Sequence, residues 1–196
     1  MVKNNGMYGN ASFEITPSEI AKIFDNLNIG IKSGTSILES IWEHEKWVIP
    51  EEYRYKRMKA RFIKDVLYQI DYLYQKRSID PAVEEIHDNA EALGYMINPS
   101  SLISDLDGVS LYFKKLWIQL RYLRDDGCIR AKASTVLAQY GYKRRSDKFC
   151  SFFDDCLYFY KIDAYSHGKL CSIRDVPGNC MITFKIRSRR RAKRKS

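Results

Sequence analysis

The stretch Tyr142-Lys143-Arg144-Arg145-Ser146-Asp147-Lys148-Phe149-Cys150-Ser151-Phe152-Phe153-Asp154-Asp155-Cys156-Leu157-Tyr158 decides how the chain is read. Three cations stand before Ser146, whose hydroxyl can cap a helix, and Asp147 complements the first turn that follows. Phe149, Phe152, Phe153, Cys156 and Leu157 then recur at helical spacing. The spacing predicts a helix from Ser146 to about Tyr158 with one thick apolar face.

On the N-terminal side, Gly141 breaks a short helix read from Ala133 to Tyr140, with Ser134 as its expected cap. Before that comes Cys128-Ile129-Arg130, a brief apolar–polar alternation. On the C-terminal side, Tyr158 to Tyr165 turns toward alternation. Ser166-His167-Gly168-Lys169 and Pro177-Gly178-Asn179 are turn-like. Met181-Ile182-Thr183-Phe184-Lys185-Ile186 has the β-branched and aromatic texture of a strand.

Helix, short strand, helix, turn, helix, strand, loop and strand is an order that resembles the winged helix-turn-helix superfamily. The resemblance covers about Val109 to Ile186 and rests on element order, not on a diagnostic motif. It implies that the helix from Ser146 to about Tyr158 lies in the major groove. It also implies a wing from about His167 to Asn179, with Lys169 and Arg174 as its cations. Asp154 and Asp155 on that helix set themselves against phosphate, so the expected contact is its N-terminal turn.

The first half reads as helices. Thr16-Pro17-Ser18-Glu19 is a capping box with Pro at the first helical position, followed by Ile20, Ile23, Phe24 and Leu27 on one face. Ser36 and Glu39 are expected to open a second helix. A long helix is expected from Pro50 to about Arg77, with Met58, Phe62, Val66, Ile70, Leu73 and Tyr74 apolar. It also carries Tyr53, Tyr55, Tyr68 and Tyr72, and at ~40 Å it is longer than a small domain needs, so its surplus face is expected to meet another protein chain or a second copy, with internal packing against the first two helices as the alternative. Further helices are read from Asp80 to Gly94 and from Val109 to Asp126, with a break at Asn98-Pro99 and Gly127 as a C-cap. The fold class is therefore mainly α. A helical domain (1–108) precedes a winged-helix-like α+β domain (109–186) and a basic tail (187–196).

Charge sharpens the division. Residues 1–126 carry 16 Lys and Arg against 19 Asp and Glu, a net of −3. Residues 127–196 carry 17 against 5, a net of +12, within a chain total of +9. Such asymmetry favours a polyanion contact at one end. The candidate nucleic-acid-binding residues are Arg130, Lys132, Tyr142, Lys143, Arg144, Arg145, Lys148, Lys169 and Arg174, with Arg187, Arg189, Arg190, Arg191, Lys193, Arg194 and Lys195 of the tail. The cations before Ser146 meet a helix N-terminus, which favours phosphate. The tail has no apolar residue larger than Ala and is expected to lie along a nucleic-acid backbone without reading sequence. A solvated loop is the alternative for the turn, and a eukaryotic nuclear localisation signal or a membrane-surface patch for the tail, with no lipidation signal or amphipathic face to support a membrane partner.

Other chemistries find little support. Cys150 and Cys156 are about 240° apart around a helix, and His167, Cys171 and Cys180 lack a CxxC partner, so no metal is expected. Glu84 and His87 form a lone E-x-x-H, where a di-iron site needs two such motifs. His87-Asp88 and Glu43-His44-Glu45 are unspecific, and no phosphate loop or nucleophile motif occurs. No catalytic residue and no cofactor is assigned. The opening MVKNNGMYGNASFE lacks the apolar core of a secretory signal, and no stretch reaches membrane-span length. Free thiols in the cytoplasm, or in a eukaryotic nucleus, are expected.

The functional expectation is a non-enzymatic DNA-binding protein. It would be a regulator or the DNA-holding subunit of a larger machine from a mobile element or defence system. An RNA-binding protein is the alternative, because Tyr140, Tyr142 and Tyr165 lie close to cations. A small nuclease built from distant carboxylates is the third reading.

Overall fold

The computed structural model of the chain describes residues 12–79, 106–138 and 145–187, the side chains of 76–79, 107 and 138 excepted. These residues are mainly helical, with a four-stranded antiparallel sheet near the C-terminus. They fall into two compact units, one within Ser12–Ser104 and the other within Asp105–Ser196. Among the described residues no helix is long and apolar enough to cross a membrane.

The first unit contains α1 (Pro17–Asn26), α2 (Ile31–His44) and α3 (Lys59–Ile79). The expected capping box closes α1. The Thr16 hydroxyl accepts from the Glu19 amide at 3.3 Å, and the Thr16 amide donates to the Glu19 carboxylate at 2.9 Å. The α2 helix starts earlier than Ser36 and Glu39 suggest, because Gly30 serves as its N-cap. Gly34 lets α2 approach α1 closely, since a Cβ there would stand 3.0 Å from a ring carbon of Phe24.

The long helix does not begin at Pro50. Short 3-10 turns occupy Glu51–Tyr53 and Lys56–Met58, and α3 starts only at Lys59. Side chains hold that connection in place. Trp42 donates its indole N–H to the Tyr53 carbonyl at 2.8 Å, and Arg54 donates to the Ile49 carbonyl at 2.9 Å while pairing with Glu14. From α3, Phe62, Val66 and Ile70 enter the core at four-residue spacing. Each buried side chain of this kind contributes roughly 1.5–3 kcal/mol. Tyr53 belongs to this packing too, with its hydroxyl 2.8 Å from Asp65 and its ring 5.5 Å from that of Phe62. Tyr55, Tyr68 and Tyr72 are exposed.

The second unit opens with α4 (Asp107–Ile118), which runs into a π-helical turn at Gln119–Leu123. The helix read to Asp126 therefore ends earlier. Gly127, with φ +59°, sits in the turn beyond it, not at the cap. Next come β1 (Cys128–Lys132), α5 (Ala133–Ala138), α6 (Asp147–Phe159), β2 (Ile162–Ser166), β3 (Lys169–Leu170) and β4 (Met181–Ile186). Ser134 does not cap α5. The helix already begins at Ala133, and the Ser134 amide donates to the Gly178 carbonyl at 2.8 Å. Ser146 caps α6 as expected, accepting from the Phe149 amide at 3.2 Å.

The strand order is β1-β4-β2-β3. One sheet face carries Ile162, Ala164, Ile182 and Phe184 into a core shared with α4 and α6. There Phe113 meets Phe153 edge-on at 4.7 Å, and Phe153 lies 6.3 Å from Phe184. The helix read from Asp80 to Gly94, the Asn98-Pro99 break, the end of the Ala133–Tyr140 helix and the tail beyond Arg187 lie outside the described residues.

Candidate nucleic-acid interface

The cations singled out from the sequence occupy different situations. Tyr142, Lys143, Arg144, Arg189, Arg190, Arg191, Lys193, Arg194 and Lys195 lie outside the described residues, as does the Glu84–Asp88 segment. Arg145, Arg174 and Arg187 are engaged by the fold. Arg130, Lys132, Lys148 and Lys169 are exposed. Among the described residues they make no side-chain hydrogen bond or salt bridge.

Engagement begins with the return loop, Cys171–Cys180, between β3 and β4. Its Ile173 and Val176 are buried, which seats the loop against the unit. Arg174 pairs with Asp147 in the first turn of α6. It also donates to the Asp147 carbonyl at 3.3 Å and to the Ser151 hydroxyl at 3.2 Å. The Asp147 hydrogen bond raises the Arg174 pKa still further. Arg145 donates to the Arg174 carbonyl at 3.1 Å, and Ser172 donates to Asp154 at 3.4 Å. Burial raises the Asp154 pKa, while Ser172 and Arg174 pull it back. Positions 147, 151 and 154 form one stripe of α6, and this loop is hydrogen-bonded to all three. His167 (φ 49°) and Gly168 (φ 77°) turn directly from β2 into β3. The segment expected to be a projecting wing is thus a tight hairpin followed by a loop docked on α6.

The opposite face of the sheet is open. Antiparallel register places Cys128, Lys185 and Asp163 in one row. Arg130, Thr183, Tyr165 and Leu170 form the next row, and Lys132 and Met181 the third. Side chains directly opposite in an antiparallel pair share a face. Arg130 and Lys132 therefore stand about 7 Å apart along β1, and Lys185 is diagonal to Arg130 at roughly 7–8 Å. All three are exposed. None has a side-chain hydrogen bond or salt bridge among the described residues. Asp163, opposite Lys185, is bound by Arg187 at 2.8 Å and accepts from the Tyr165 hydroxyl at 3.5 Å.

This face forms a concavity of about 860 Å³, lined among others by Arg130, Tyr165, His167, Met181, Thr183 and Lys185. At its rim, Cys128 donates its thiol to Asp126 at 3.2 Å. That hydrogen bond raises the thiol pKa despite the opposing pull of Arg130 and Lys185, and lowers that of Asp126. Cys128 is thus held as a thiol and is a poor nucleophile at neutral pH. All five cysteines are free. Among the described residues no group of three or more His, Cys, Asp or Glu converges on a metal position.

The sequence points to Arg130 and Lys132 but does not join them to Lys185, Met181 and Thr183. The signal is present as period-2 alternation within both strands. The register that brings the strands together depends on which residues of β4 face the core, and that is not legible from either strand alone. No protein-family model, curated protein or solved structure matches the chain.

Proposed function

We propose that the chain is a non-enzymatic nucleic-acid-binding protein. In this reading its C-terminal unit holds duplex DNA in a winged-helix-like manner, and its N-terminal helices associate with another protein. The observation that carries the reading is charge: a net of +12 over residues 127–196 on a chain otherwise slightly acidic. The strand order β1-β4-β2, with helices before and after β1 and a third leading into β2, supports the winged-helix comparison. Exposed Tyr55, Tyr68 and Tyr72 support the protein contact.

The contact is with the backbone. The stripe of α6 at Asp147, Ser151 and Asp154 already serves the return loop, so it has little capacity for base edges. Lys148 stays exposed in the first turn, where the helix dipole favours an anion. A unit of this kind serves as a regulator or as the DNA-holding subunit of a larger machine.

The test is titration of the full chain against a 20-base-pair duplex and a scrambled duplex at several salt concentrations. Log affinity should fall with log salt at about −0.9 per phosphate neutralised. The double variant Lys143→Ala/Arg144→Ala should weaken both duplexes alike and make the slope shallower by about two. A folded double variant with the parent's affinity and slope would remove the phosphate role of the turn. Absence of binding by the parent would remove the whole reading.

A further inference from the structure

We infer that the outer face of the sheet is a separate binding site for single-stranded nucleic acid, with the Tyr165 ring stacking a base and Arg130, Lys132 and Lys185 holding the adjoining phosphates. The inference rests on the nucleic-acid reading above and assigns to that unit a second surface with its own ligand.

Three observations converge on this face. The first is uncompensated charge. Arg130, Lys132 and Lys185 stand within about 7–8 Å of their nearest neighbours in the set, on rows whose acid, Asp163, is bound by Arg187. Like charges at this spacing repel, and none of the three makes a salt bridge among the described residues. A phosphodiester chain supplies a row of them. The second is an apolar platform among the cations. Tyr165 is half-buried and shares its row with Leu170, which is 61% exposed, while Met181 in the neighbouring row is 45% exposed. A base has a π-face that stacks on such a ring whatever its identity. The third is shape. The concavity is open to solvent and bounded by the His167-Gly168 turn and by Asn179 and Cys180. An extended strand can lie across it with its bases turned inward.

Duplex DNA does not fit the same chemistry. Its bases are stacked on one another, so their faces are closed to Tyr165, and its phosphates would reach the cations without using the platform. A strand of either sugar exposes the faces, so single-stranded DNA and RNA share the recognition.

The experiment uses the full-length chain with fluorescein-labelled dT15, rU15 and a 20-base-pair duplex. Arg130→Glu/Lys185→Glu replaces exposed side chains and should leave the melting temperature near the parent's. It should weaken dT15 and rU15 at least tenfold, weaken the duplex several-fold less than either strand, and make the single-strand salt slope shallower by about 1.4. Tyr165→Ser should weaken both strands about tenfold, whereas Tyr165→Phe, which keeps the ring, should stay within twofold. If Tyr165→Ser fails to fold, the charge reversals and Tyr165→Phe still decide. Unequal losses for dT15 and rU15 would tell which sugar the face prefers. Parent-like strand binding by the charge-reversed variant overturns the inference while leaving duplex binding intact. Equal losses for strand and duplex also overturn it, since the face would then be a general phosphate contact. A parent that binds duplex but not strand overturns it alone, and a parent that binds neither overturns the nucleic-acid reading as well.

Discussion

Arg174 of the return loop grips Asp147 in the first turn of α6, so the strongest cation of the expected wing faces its own helix. The pair is exposed, so solvent screens it and the Coulomb gain is small. The hydrogen bonds to the Asp147 carbonyl and the Ser151 hydroxyl add to it. Arg174→Ala should lower the stability of the C-terminal unit slightly, read as a fall in melting temperature of a few degrees at most. The ionic share of that loss should shrink in 1 M salt. Arg174→Lys should recover less than half, because an ammonium lacks the planar fork. A variant as stable as its parent would show that Ile173, Val176 and the loop's other hydrogen bonds hold it without the ion pair.

Two truncations should behave differently. Arg187 donates its amide to the Lys161 carbonyl at 2.6 Å and its side chain to Asp163 at 2.8 Å. A chain ending at Arg187 should melt within about 1 °C of the parent while binding nucleic acid more weakly. A chain ending at Ile186 loses both bonds and leaves Asp163 with only the Tyr165 hydroxyl as a donor, so it should also lose roughly 1 kcal/mol. Equal melting temperatures would place the start of the tail one residue earlier.

Tyr53 should titrate late. Burial, with the hydrogen bond it donates to Asp65, pushes its pKa up to about 12. An unfolded Tyr ionises near 10. The stability linked to this phenol is therefore complete below about pH 10 and is lost as pH rises through about 12. Absorbance titration should show one tyrosinate appearing near the upper end of that window, and Tyr53→Phe should delete it. The same variant should cost about 1 kcal/mol near neutrality, because Asp65 loses a donor.

Gly34→Ala sets two effects against each other. Alanine favours a helix interior by about 0.8–1 kcal/mol over glycine. Its Cβ would stand 3.0 Å and 3.1 Å from two ring carbons of Phe24, which is almost wholly buried and has little room to move. Overpacking costs typically ~1–3 kcal/mol. The net should be a loss of about 1 kcal/mol in the first unit. A gain in melting temperature would show that the α1–α2 contact can open by a few tenths of an ångström.

Features set by local chemistry are legible in the sequence itself. Thr16 with Glu19, Ser146 ahead of Phe149, and the run Met181–Ile186 each specify their own backbone within a few residues. Features set by distant partners are not. Pro50 is a good helix start in isolation, yet Trp42 and Arg54 bind the backbone around it and hold it in short turns until Lys59. Lys169-Leu170 is too short to announce itself as a strand, and only pairing with Tyr165 and Ser166 makes it one. Arg174 reads as a free cation in the sequence because its partner lies 27 positions earlier. The open cationic face is hidden for the same reason, since Arg130 and Lys185 meet only through the register of β1 on β4.

The strand β1 stands at one end of the sheet, so one side of its backbone has no neighbouring strand among the described residues. Such an edge is a template on which another molecule can build, and charged side chains are a common safeguard against that. Arg130 and Lys132 sit on this strand, so the side chains proposed to hold phosphates also guard the edge. Screening them with salt, or replacing both with uncharged residues, should raise the tendency of the chain to polymerise edge to edge. On the proposed reading, solubility and ligand capture are coupled through the same two charges.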